Sequence, residues 1–199
     1  SLPRMAMTSI VAPLLRDFCG TYPQIRLDLI ADDRLVDLIG EGFDAGIRLG
    51  ESLALDMIAV RATREQRIAV VGSPEYFRHN PRPLQPADLH QHRSLRFRFS
   101  SGVIYRWEFG HAGQDFDIDV DGPLICNDNA LIRSAALQGV GLAHLMEDLV
   151  QEDLRSGALV RVLEDWCPPF PGFYLYYPSR AQMPLKLRVL VDFLAARMS

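Results

Sequence analysis

Neither an excess of basic charge nor a set of paired cysteines is present in this chain of 199 residues. Lysine and arginine total 21 against 25 aspartate and glutamate residues, so the formal net charge is −4. This balance excludes the positive surface on which nucleic-acid affinity depends, and we expect the chain alone to bind DNA poorly. The three cysteines, Cys19, Cys126 and Cys167, are widely spaced without a C-x-x-C pair, which predicts free thiols and a cytoplasmic protein.

Long apolar runs and catalytic signatures are missing as well. No stretch is long enough to span a membrane, and the first residues lack the charged-then-apolar order of a signal peptide, so we expect no membrane partner. The sequence has no G-x-S-x-G, H-E-x-x-H, G-x-x-x-x-G-K-[ST] or G-x-G-x-x-G motif. His90 and His92 could chelate a metal only with a third ligand, which the nearby sequence does not supply. We therefore predict no enzyme, no metal site and no cofactor.

Hydrophobic spacing predicts an α/β fold from the first residues onward. Apolar residues recur at helical spacing over residues 10–22 and alternate with polar residues over residues 25–29, as in a strand. A short helix over residues 35–39 and a buried strand over residues 45–49 follow. With a short opening strand before the first helix, this βαβαβ order predicts a parallel sheet with right-handed crossovers.

A second α/β series is predicted over the rest of the chain. Strands at 57–62 and 67–71 lead into it. Its elements, in chain order, are a helix opened by Ser73, strands at 94–99, 106–109 and 116–120, a helix at 129–138, a strand at 142–145 and a helix at 147–155 closed by Gly157. A strand at 173–177 and a helix after Pro184 follow this series. The prolines at 168–171 predict a stiff turn where the chain heads back.

Five stretches of this sequence together resemble one known family. They are residues 42–51 (Gly-Phe-Asp-Ala-Gly-Ile-Arg-Leu-Gly-Glu), residues 68–77 (Ile-Ala-Val-Val-Gly-Ser-Pro-Glu-Tyr-Phe), residues 83–90 before Ser94-Leu95, residues 107–109 (Trp-Glu-Phe) and residues 127–141. On these motifs the chain is identified as a member of the effector-binding domains of LysR-type transcriptional regulators. The resemblance covers nearly the whole chain.

The resemblance implies a fold and a domain organisation. The fold would be two Rossmann-like α/β lobes with a cleft between them, similar to the type 2 periplasmic binding proteins. Lobe I would comprise residues 1–69 plus 175–199, and lobe II residues 70–174. In the family a winged helix-turn-helix and a linker helix precede such a domain, and neither is in this chain. DNA contact would therefore come only through that missing N-terminal domain, and we expect that something upstream of Ser1 has been removed.

Helix starts and strand ends are where such folds bind ligands, because free N–H groups and positive dipole ends lie there. Two helix starts are predicted, at residues 7–9 and 127–129, although Thr8, Ser9 and Asn129 could simply cap their own helices. Together with the residues that the resemblance places in the cleft, the predicted effector-binding residues are Ser1, Pro3, Thr8, Asp32, Arg48, Gly50, Phe99, Ser100, Ser101, Asn127 and Asn129.

Two alternatives concerning arginines stay open at this point. Arg48, a cation on an apolar strand, could bind an anionic effector or form an ion pair with a nearby aspartate, Asp32, Asp33 or Asp44. Arginine and phenylalanine alternate over residues 96–99. Either Arg96 and Arg98 or Phe97 and Phe99 therefore face the cleft, because side chains of a strand alternate between its faces.

The first helix and the helix of lobe II also predict a homodimer. Apolar side chains of the first helix form a stripe wider than one sheet face needs, and a second such helix begins near Asn129. A two-fold axis lets the two helices meet twice in a head-to-tail dimer. Its predicted interface residues are Ile10, Leu14, Phe18, Leu131 and Ala135. The resemblance implies the same dimer and a tetramer of the full-length protein; the alternative is that both helices pack only against their own sheets.

The function predicted from these features is that of a sensor. The chain would be the ligand-sensing domain of a bacterial LysR-type transcription factor, binding a small, anionic or aromatic effector between its lobes without catalysing a reaction. The alternative is a solute-binding protein of a transporter, which shares the fold. The missing export signal and the odd number of cysteines argue against that alternative.

Overall fold

Both ends of the chain fold into one unit, and the middle of the chain forms another. The first unit comprises Ser1–Glu65 and Pro171–Ser199, and the second comprises Gln66–Phe170. The predicted lobe boundaries, 69/70 and 174/175, fall a few residues later than these limits. The structure is a computed structural model, and it describes residues 1–34, 37–38, 40–50, 57–178 and 183–198.

Six α-helices and ten β-strands are formed by the described residues. The helices are α1 Arg4–Ala6, α2 Leu15–Thr21, α3 Pro74–His79, α4 Asn129–Leu137, α5 Glu147–Ser156 and α6 Leu185–Met198. The strands are β1 Gly46–Leu49, β2 Met57–Arg61, β3 Ile68–Gly72, β4 Ser94–Phe97, β5 Trp107–His111, β6 Gln114–Ile118, β7 Leu124–Cys126, β8 Leu142–Met146, β9 Val160–Val162 and β10 Phe173–Pro178. No described helix combines the length and the apolar composition needed to cross a membrane.

The first helical stretch starts earlier than predicted and absorbs a proline in its middle. Between α1 and α2 the chain forms a π-helix over Met7–Val11 and a 3₁₀ turn over Ala12–Leu14. Pro13 lacks an N–H and its ring would collide with the carbonyl four residues earlier, so a regular α-helix cannot continue through it. The helix start expected near residue 10 is wrong, because the helical stretch begins at Arg4. The backbone at residues 8 and 9 already lies inside the helical stretch.

The parallel sheet predicted for the first lobe is not what the described residues form. Strand β10 lies between β1 and β2 and is antiparallel to both. Residues 25–29 form no strand, and the only parallel pairing in this unit's described part is a single bridge between Leu2 and Ala31. After Leu2 the parallel pairing stops at Pro3, which has no N–H to donate. The helix expected at 35–39 lies largely outside the described residues.

The second unit follows the predicted series closely. Its main sheet has the order β7-β4-β8-β3-β9, with β4 parallel to β7 and β8, and β3 antiparallel to β8 and β9. Strands β5 and β6 form a separate hairpin whose two turn residues, Ala112 and Gly113, both have positive φ. Two of these strands, β7 and β9, are only three residues long, and the sequence reading missed both.

Both faces of this sheet are covered, because its central strands are apolar at consecutive positions. On one face Ala69 and Leu145 pack with Ile132 of α4 and Val150 of α5. On the other face Val70, Leu142 and Leu89 pack with Trp107 of the hairpin, in a cluster of ten buried residues: Val70, Tyr76, Leu89, Trp107, Phe109, Val120, Leu142, Val162, Leu163 and Cys167. The sheet is therefore a rigid base for side chains at its strand ends.

Local capping explains where two helices of this unit start and stop. The Ser73 hydroxyl accepts a hydrogen bond from the Tyr76 amide at 3.2 Å, and Pro74 occupies the first helical position of α3, as predicted. Helix α5 ends at Gly157, whose φ of 74° is readily adopted only by glycine. These two predictions are confirmed.

Tyr76→Phe should lower the free energy of unfolding by about 1–3 kcal/mol, since a buried donor and acceptor lose their partner. The Tyr76 hydroxyl contacts Nδ1 of His92 at 3.0 Å and accepts a hydrogen bond from the Arg93 amide at 3.1 Å. Tyr22→Phe is the matched control, because the Tyr22 hydroxyl makes no hydrogen bond within the described residues and its ring packs against Phe18. Urea unfolding that shows equal losses for both variants would contradict this account.

Candidate functional site

Arg48 is the central polar residue of the first unit. It lies on β1 with only 4% of its surface exposed. Its Nη1 donates to the Ile47 carbonyl at 2.7 Å, and its Nη2 donates to the Arg34 carbonyl at 2.6 Å and to the Ser1 hydroxyl at 3.1 Å. The guanidinium therefore ties together the start of the chain, the segment around residue 34 and β1.

No carboxylate among the described residues pairs with this cation. Asp32 instead binds Arg34 at 2.6 Å, and Asp44 binds Lys186 at 2.8 Å. The ion pair that sequence left open for Arg48 is thus not formed within the described part of the chain. Burial lowers the pKa of Arg48, while the Tyr176 hydroxyl and two aspartates act in the opposite direction. The side chain holds a partly desolvated positive charge, which favours anions nearby.

Tyr176, which the sequence did not indicate as a site residue, has a buried hydroxyl without a hydrogen-bond partner among the described residues. Its ring lies over Gly46, where a Cβ atom would come within 2.4 Å of it. Its hydroxyl is buried and, like Nε of Arg48, has no hydrogen-bond partner among the described residues. The sequence predicted β10 but not its pairing with β1, so nothing in it placed Tyr176 above Gly46.

Not all of the other predicted residues of the first unit lie beside the groups that Arg48 joins. Asp32 does, because its amide donates to the Leu2 carbonyl at 2.9 Å, and the Arg34 guanidinium lowers the pKa of its carboxyl. Pro3 is the residue before α1. Gly50 donates to the Gly172 carbonyl at 3.1 Å and leaves room for the Tyr174 ring, which a Cβ atom would approach to 2.7 Å. Packing is therefore a sufficient reason for glycine there.

Thr8 and Ser9 are not helix caps, which corrects the reasoning that made Thr8 a site residue. Their hydroxyls donate to the Met5 carbonyl, each at 2.9 Å, inside the helical stretch. The helical stretch begins at Arg4, so no free N–H groups are presented at residues 7–9. The predicted contact at Thr8 therefore loses its support from free N–H groups, and only its exposed hydroxyl remains.

In the second unit the predicted residues lie at the ends of two neighbouring strands. The Arg98 amide donates to the Cys126 carbonyl at 2.8 Å, so the residues that follow β4 run beside those that follow β7. Phe99 closes a turn by donating to the Val103 carbonyl at 2.9 Å, and the intervening Ser100 and Ser101 are exposed. The structure therefore brings the 99–101 and 127–129 segments together at one sheet end.

Helix α4 is capped by Asp128 and not by either asparagine. Its carboxylate accepts from the amides of Ala130 and Leu131 at 2.8 and 3.0 Å. The alternative that the Asn129 side chain is the cap is therefore wrong. Asn127 is exposed and Asn129 is half-buried, so the amides of both flank the positive end of this helix.

Both arginines of β4 and its extension are held within their own unit. Arg96 pairs with Asp119 at 2.9 Å, and Arg98 donates to the Gly102 carbonyl at 3.0 Å. Phe99 is 36% exposed, with its ring 5.5 Å from that of Phe97 and 5.8 Å from that of Tyr105. The Phe99 ring is thus the accessible end of an aromatic row.

The aromatic row continues to His144, which the sequence reading did not single out. This β8 side chain is 8% exposed, stacks on Trp107 at 5.2 Å and places Nε2 3.1 Å from the Glu108 carbonyl. Its Nδ1 is buried without a partner among the described residues. Burial lowers the pKa of His144 to about 4, although hydrogen bonds to backbone act in the opposite direction. The sequence shows only one histidine in an apolar strand, which does not indicate that its ring is buried among aromatic side chains.

Three of the five predicted dimer residues are buried in their own unit. Ile10, Phe18 and Ala135 are 6%, 2% and 7% exposed, and the Phe18 ring packs at 5.0 Å against that of Phe193 in α6. The apolar stripe of the first helix is needed to cover this unit's own core, which the sequence pattern alone did not reveal. Of the five, Leu14 is half-buried and Leu131 is 50% exposed.

Within the described ranges, no group of three or more histidine, cysteine, aspartate or glutamate side chains could hold a metal ion. The polar residues gathered at the two sites are instead hydroxyls, amides and one buried guanidinium. Such groups bind small polar molecules through hydrogen bonds and charge.

Comparisons with known proteins agree on one family. The family model for the LysR substrate binding domain matches residues 1–199. The HTH-type transcriptional regulator YcaN of Escherichia coli is 37% identical over 190 residues, which are 96% of this chain and 62% of that protein. The HTH-type transcriptional regulator PgrR of Escherichia coli is 35% identical over 188 residues, which are 94% of this chain and 63% of that protein. The chain thus spans less than two thirds of these relatives.

Solved structures give the same result for the fold. The regulatory domain of AphB from Vibrio vulnificus superposes with a TM-score of 0.84 at 26% identity, over 98% of this chain and 96% of that one. The regulatory domain of CrgA from Neisseria meningitidis gives a TM-score of 0.82 at 27% identity, over 100% of this chain and 96% of that one.

The stability of the chain should fall as the pH drops from about 6.5 to about 4, partly because of His144. In that range the unfolded state binds a proton that folded His144 does not, so stability is fully present above about pH 6.5 and is lost toward pH 4. The full effect is on the order of 3 kcal/mol for a shift of this size.

His144→Phe should flatten this pH dependence, and His90→Phe, at an exposed position, is the matched control. His92, whose pKa burial also lowers, is present in all three proteins and contributes the same background slope. Urea unfolding at half-unit pH intervals provides the comparison. Identical slopes for the His144 variant and the parent chain would show that this ring does not titrate as described.

Proposed function

The chain belongs to the LysR substrate binding domain family, and from this premise we propose that it binds a small effector that is anionic or aromatic. It is the regulatory domain of a LysR-type transcription regulator. Both the family and the two-lobed α/β fold expected from sequence are confirmed. The single observation that carries the function is the family match over residues 1–199.

Regulators of this family bind small-molecule effectors and act as oligomers on DNA. For this protein we assign the DNA contacts to a helix-turn-helix domain outside the 199 residues and place the protein in the cytoplasm. The net charge of −4 supports the first assignment, because it leaves little electrostatic attraction to phosphates. We assign no catalytic role to the chain. The alternative of a transporter's solute-binding protein is not favoured, since the relatives are HTH-type regulators.

The proposed effector contacts come from both units. In the first unit the candidates are Ser1 and Arg48, where a desolvated cation without a carboxylate partner among the described residues favours an anionic ligand. In the second unit the candidates are Asn129 and the exposed hydroxyls of Ser100 and Ser101, beside an aromatic row that ends at Phe99. The groups of the first unit would match a carboxylate, and those of the second unit would match an aromatic ring.

Asn129→Ala should weaken effector binding by about 1–3 kcal/mol, because a buried polar group of the ligand would lose its partner. The measurement is a calorimetric titration of the 199-residue chain, first screened against small carboxylic acids and aromatic acids. Asn80→Ala makes the same chemical change at the end of α3, where the amide donates to the Tyr76 carbonyl, and should leave affinity unchanged. Unchanged affinity in the Asn129 variant would move the site elsewhere.

We also assign a head-to-tail homodimer to this domain, and a tetramer to the full-length protein. The exposed apolar side chains on the two helices are Leu15 of α2, 37% exposed, and Leu131 of α4, 50% exposed. In a two-fold symmetric dimer every contact between α2 and α4 occurs twice, so both copies of each leucine would be buried. Leu131 is retained from the predicted set and Leu15 is added to it, whereas Ile10, Phe18 and Ala135 are buried within their own units.

Combining Leu15→Asp with Leu131→Asp should convert the dimer into a monomer, because charged side chains oppose burial at an interface. Light scattering at tens of micromolar measures the mass. Leu84→Asp is the control, since Leu84 is 84% exposed and belongs to neither helix. A monomeric parent chain, or a dimer that survives the double substitution, would show that this interface is wrong.

A further inference from the structure

Strand β6 has one edge that no other strand covers. It pairs with β5 along its whole length, and no second strand pairs with it among the residues that the structure describes. All of its residues except Ile118 are exposed. The Glu108 carbonyl of β5, by contrast, lies 3.1 Å from Nε2 of His144 in the main sheet. The hairpin therefore turns β5 toward its own unit and leaves the edge of β6 open.

The register of the hairpin shows which backbone groups of β6 face this open edge. His111 and Gln114 flank the two-residue turn, so they close the hairpin as a hydrogen-bonded pair. Bonded and non-bonded pairs alternate in an antiparallel ladder, which makes Asp115 and Asp117 the β6 residues that do not bond to β5. Their N–H and C=O groups point outward and form no other backbone hydrogen bond within the described part of the chain.

The side chains around this edge are mostly acidic. Glu108 lies directly opposite Asp117, and like charges in that position are unfavourable unless neighbours compensate them. Arg106 binds Asp117 at 2.6 Å, which compensates only part of the charge. Five carboxylates and two guanidinium groups lie here: Glu108, Asp115, Asp117, Asp119, Asp121, Arg96 and Arg106. Negative charge is therefore left in excess beside the free backbone groups.

The opposite face of β6 is apolar and partly accessible. Phe116 is 37% exposed, and its ring lies 6.0 Å from that of the buried Phe109 on β5. The half-buried Trp166 ring stands nearly perpendicular to that of Phe116, at 6.1 Å. An apolar side chain of a neighbouring strand would bury area against the Phe116 ring.

The charges decide which kind of neighbour fits this edge. Two copies of β6 side by side would bring aspartates against aspartates, so a second copy of this hairpin is not the occupant. Nucleic-acid phosphates are disfavoured for the same reason. A small cation would compensate a carboxylate but would leave the N–H and C=O groups of Asp115 and Asp117 without a strand partner. A polypeptide with positive side chains satisfies both requirements.

We propose that β6 is a docking strand for another protein, which adds an extended segment with arginine or lysine at every second position and apolar residues between them. Its basic side chains would lie beside Asp115 and Asp117, and its apolar side chains would lie beside Phe116, because successive residues of a strand face opposite sides. Backbone hydrogen bonds at the edge would supply affinity, and the alternating side chains would supply specificity.

This surface would give the domain a protein partner in addition to its effector. It shares no residue with the proposed effector contacts or with helices α2 and α4. Attachment of a basic segment to β6 therefore leaves those positions accessible, and substitutions at β6 should not alter effector affinity.

The test uses the 199-residue chain and two short peptides of identical composition. In one peptide arginine and valine alternate, and in the other the arginines and the valines form two separate blocks. We expect the alternating peptide to bind ~10-fold more tightly, because only it places every charge on one face of an added strand. At saturation it should slow hydrogen exchange of the Asp115 and Asp117 amides at least ~10-fold.

Two substitutions at one position separate the backbone contact from the charge. Asp115→Asn removes the carboxylate and keeps the N–H, whereas Asp115→Pro removes both, and proline is tolerated where the N–H of an edge strand faces solvent. We expect the proline variant to bind the alternating peptide at least ~3-fold more weakly than the asparagine variant, because it lacks one hydrogen bond.

Three results would overturn the proposal. The first is equal affinity for the two peptides, which would show that net charge alone attracts them. The second is unchanged exchange at Asp115 and Asp117 in the parent chain with the alternating peptide bound, a measurement that needs no variant. The third is an absence of binding by the alternating peptide at ~1 mM.

Discussion

The chain passes from one unit to the other at residues 62–66 and returns at residues 170–173. These two segments are hydrogen-bonded to each other, and the rest of the architecture depends on this pairing. Phe173 accepts from the Ala62 amide at 2.8 Å and donates to the Thr63 hydroxyl at 2.9 Å, while Gln66 and Phe170 exchange two bonds of 2.9 Å. Because β10 follows directly and lies between β1 and β2, the first unit is completed only by residues more than 100 positions away in sequence. Contacts between residues so far apart in sequence are of the kind that slows folding.

Among the buried polar side chains, Arg48 of the first unit and His144 of the second have lost most of their contact with water. Arg48 keeps a positive charge with carbonyl and hydroxyl partners, and His144 stays neutral among aromatic rings. Desolvation has opposite consequences in the two cases, because arginine remains charged in proteins whereas histidine gives up its proton. The first supports attraction of an anion, and the second makes the stability of the domain depend on pH.

The sequence predicted most of the second unit and less of the first for a physical reason. In the second unit the signals were local: Ser73 before Pro74, Gly157 after α5 and apolar runs for β3 and β8. In the first unit the pairing of β1 depends on β10, which is remote in sequence, and the apolar face of the first helix is covered by Phe193 of α6. Periodicity shows that a face is apolar but not what covers it, which is why the dimer residues Ile10 and Phe18 were misplaced. Helix caps are uncertain in the same way, because the sequence offered Asn129 as a cap of α4 and the structure has Asp128 as its cap.

The most direct test of the sensing role is effector-dependent transcription by the full-length regulator and by a version that lacks these 199 residues. A reporter fused to its target promoter would be measured with and without the small molecule found by calorimetry. The account predicts that transcription by the full-length protein changes with the effector and that removing the 199 residues abolishes this response. An effector response that persists without these residues would contradict it.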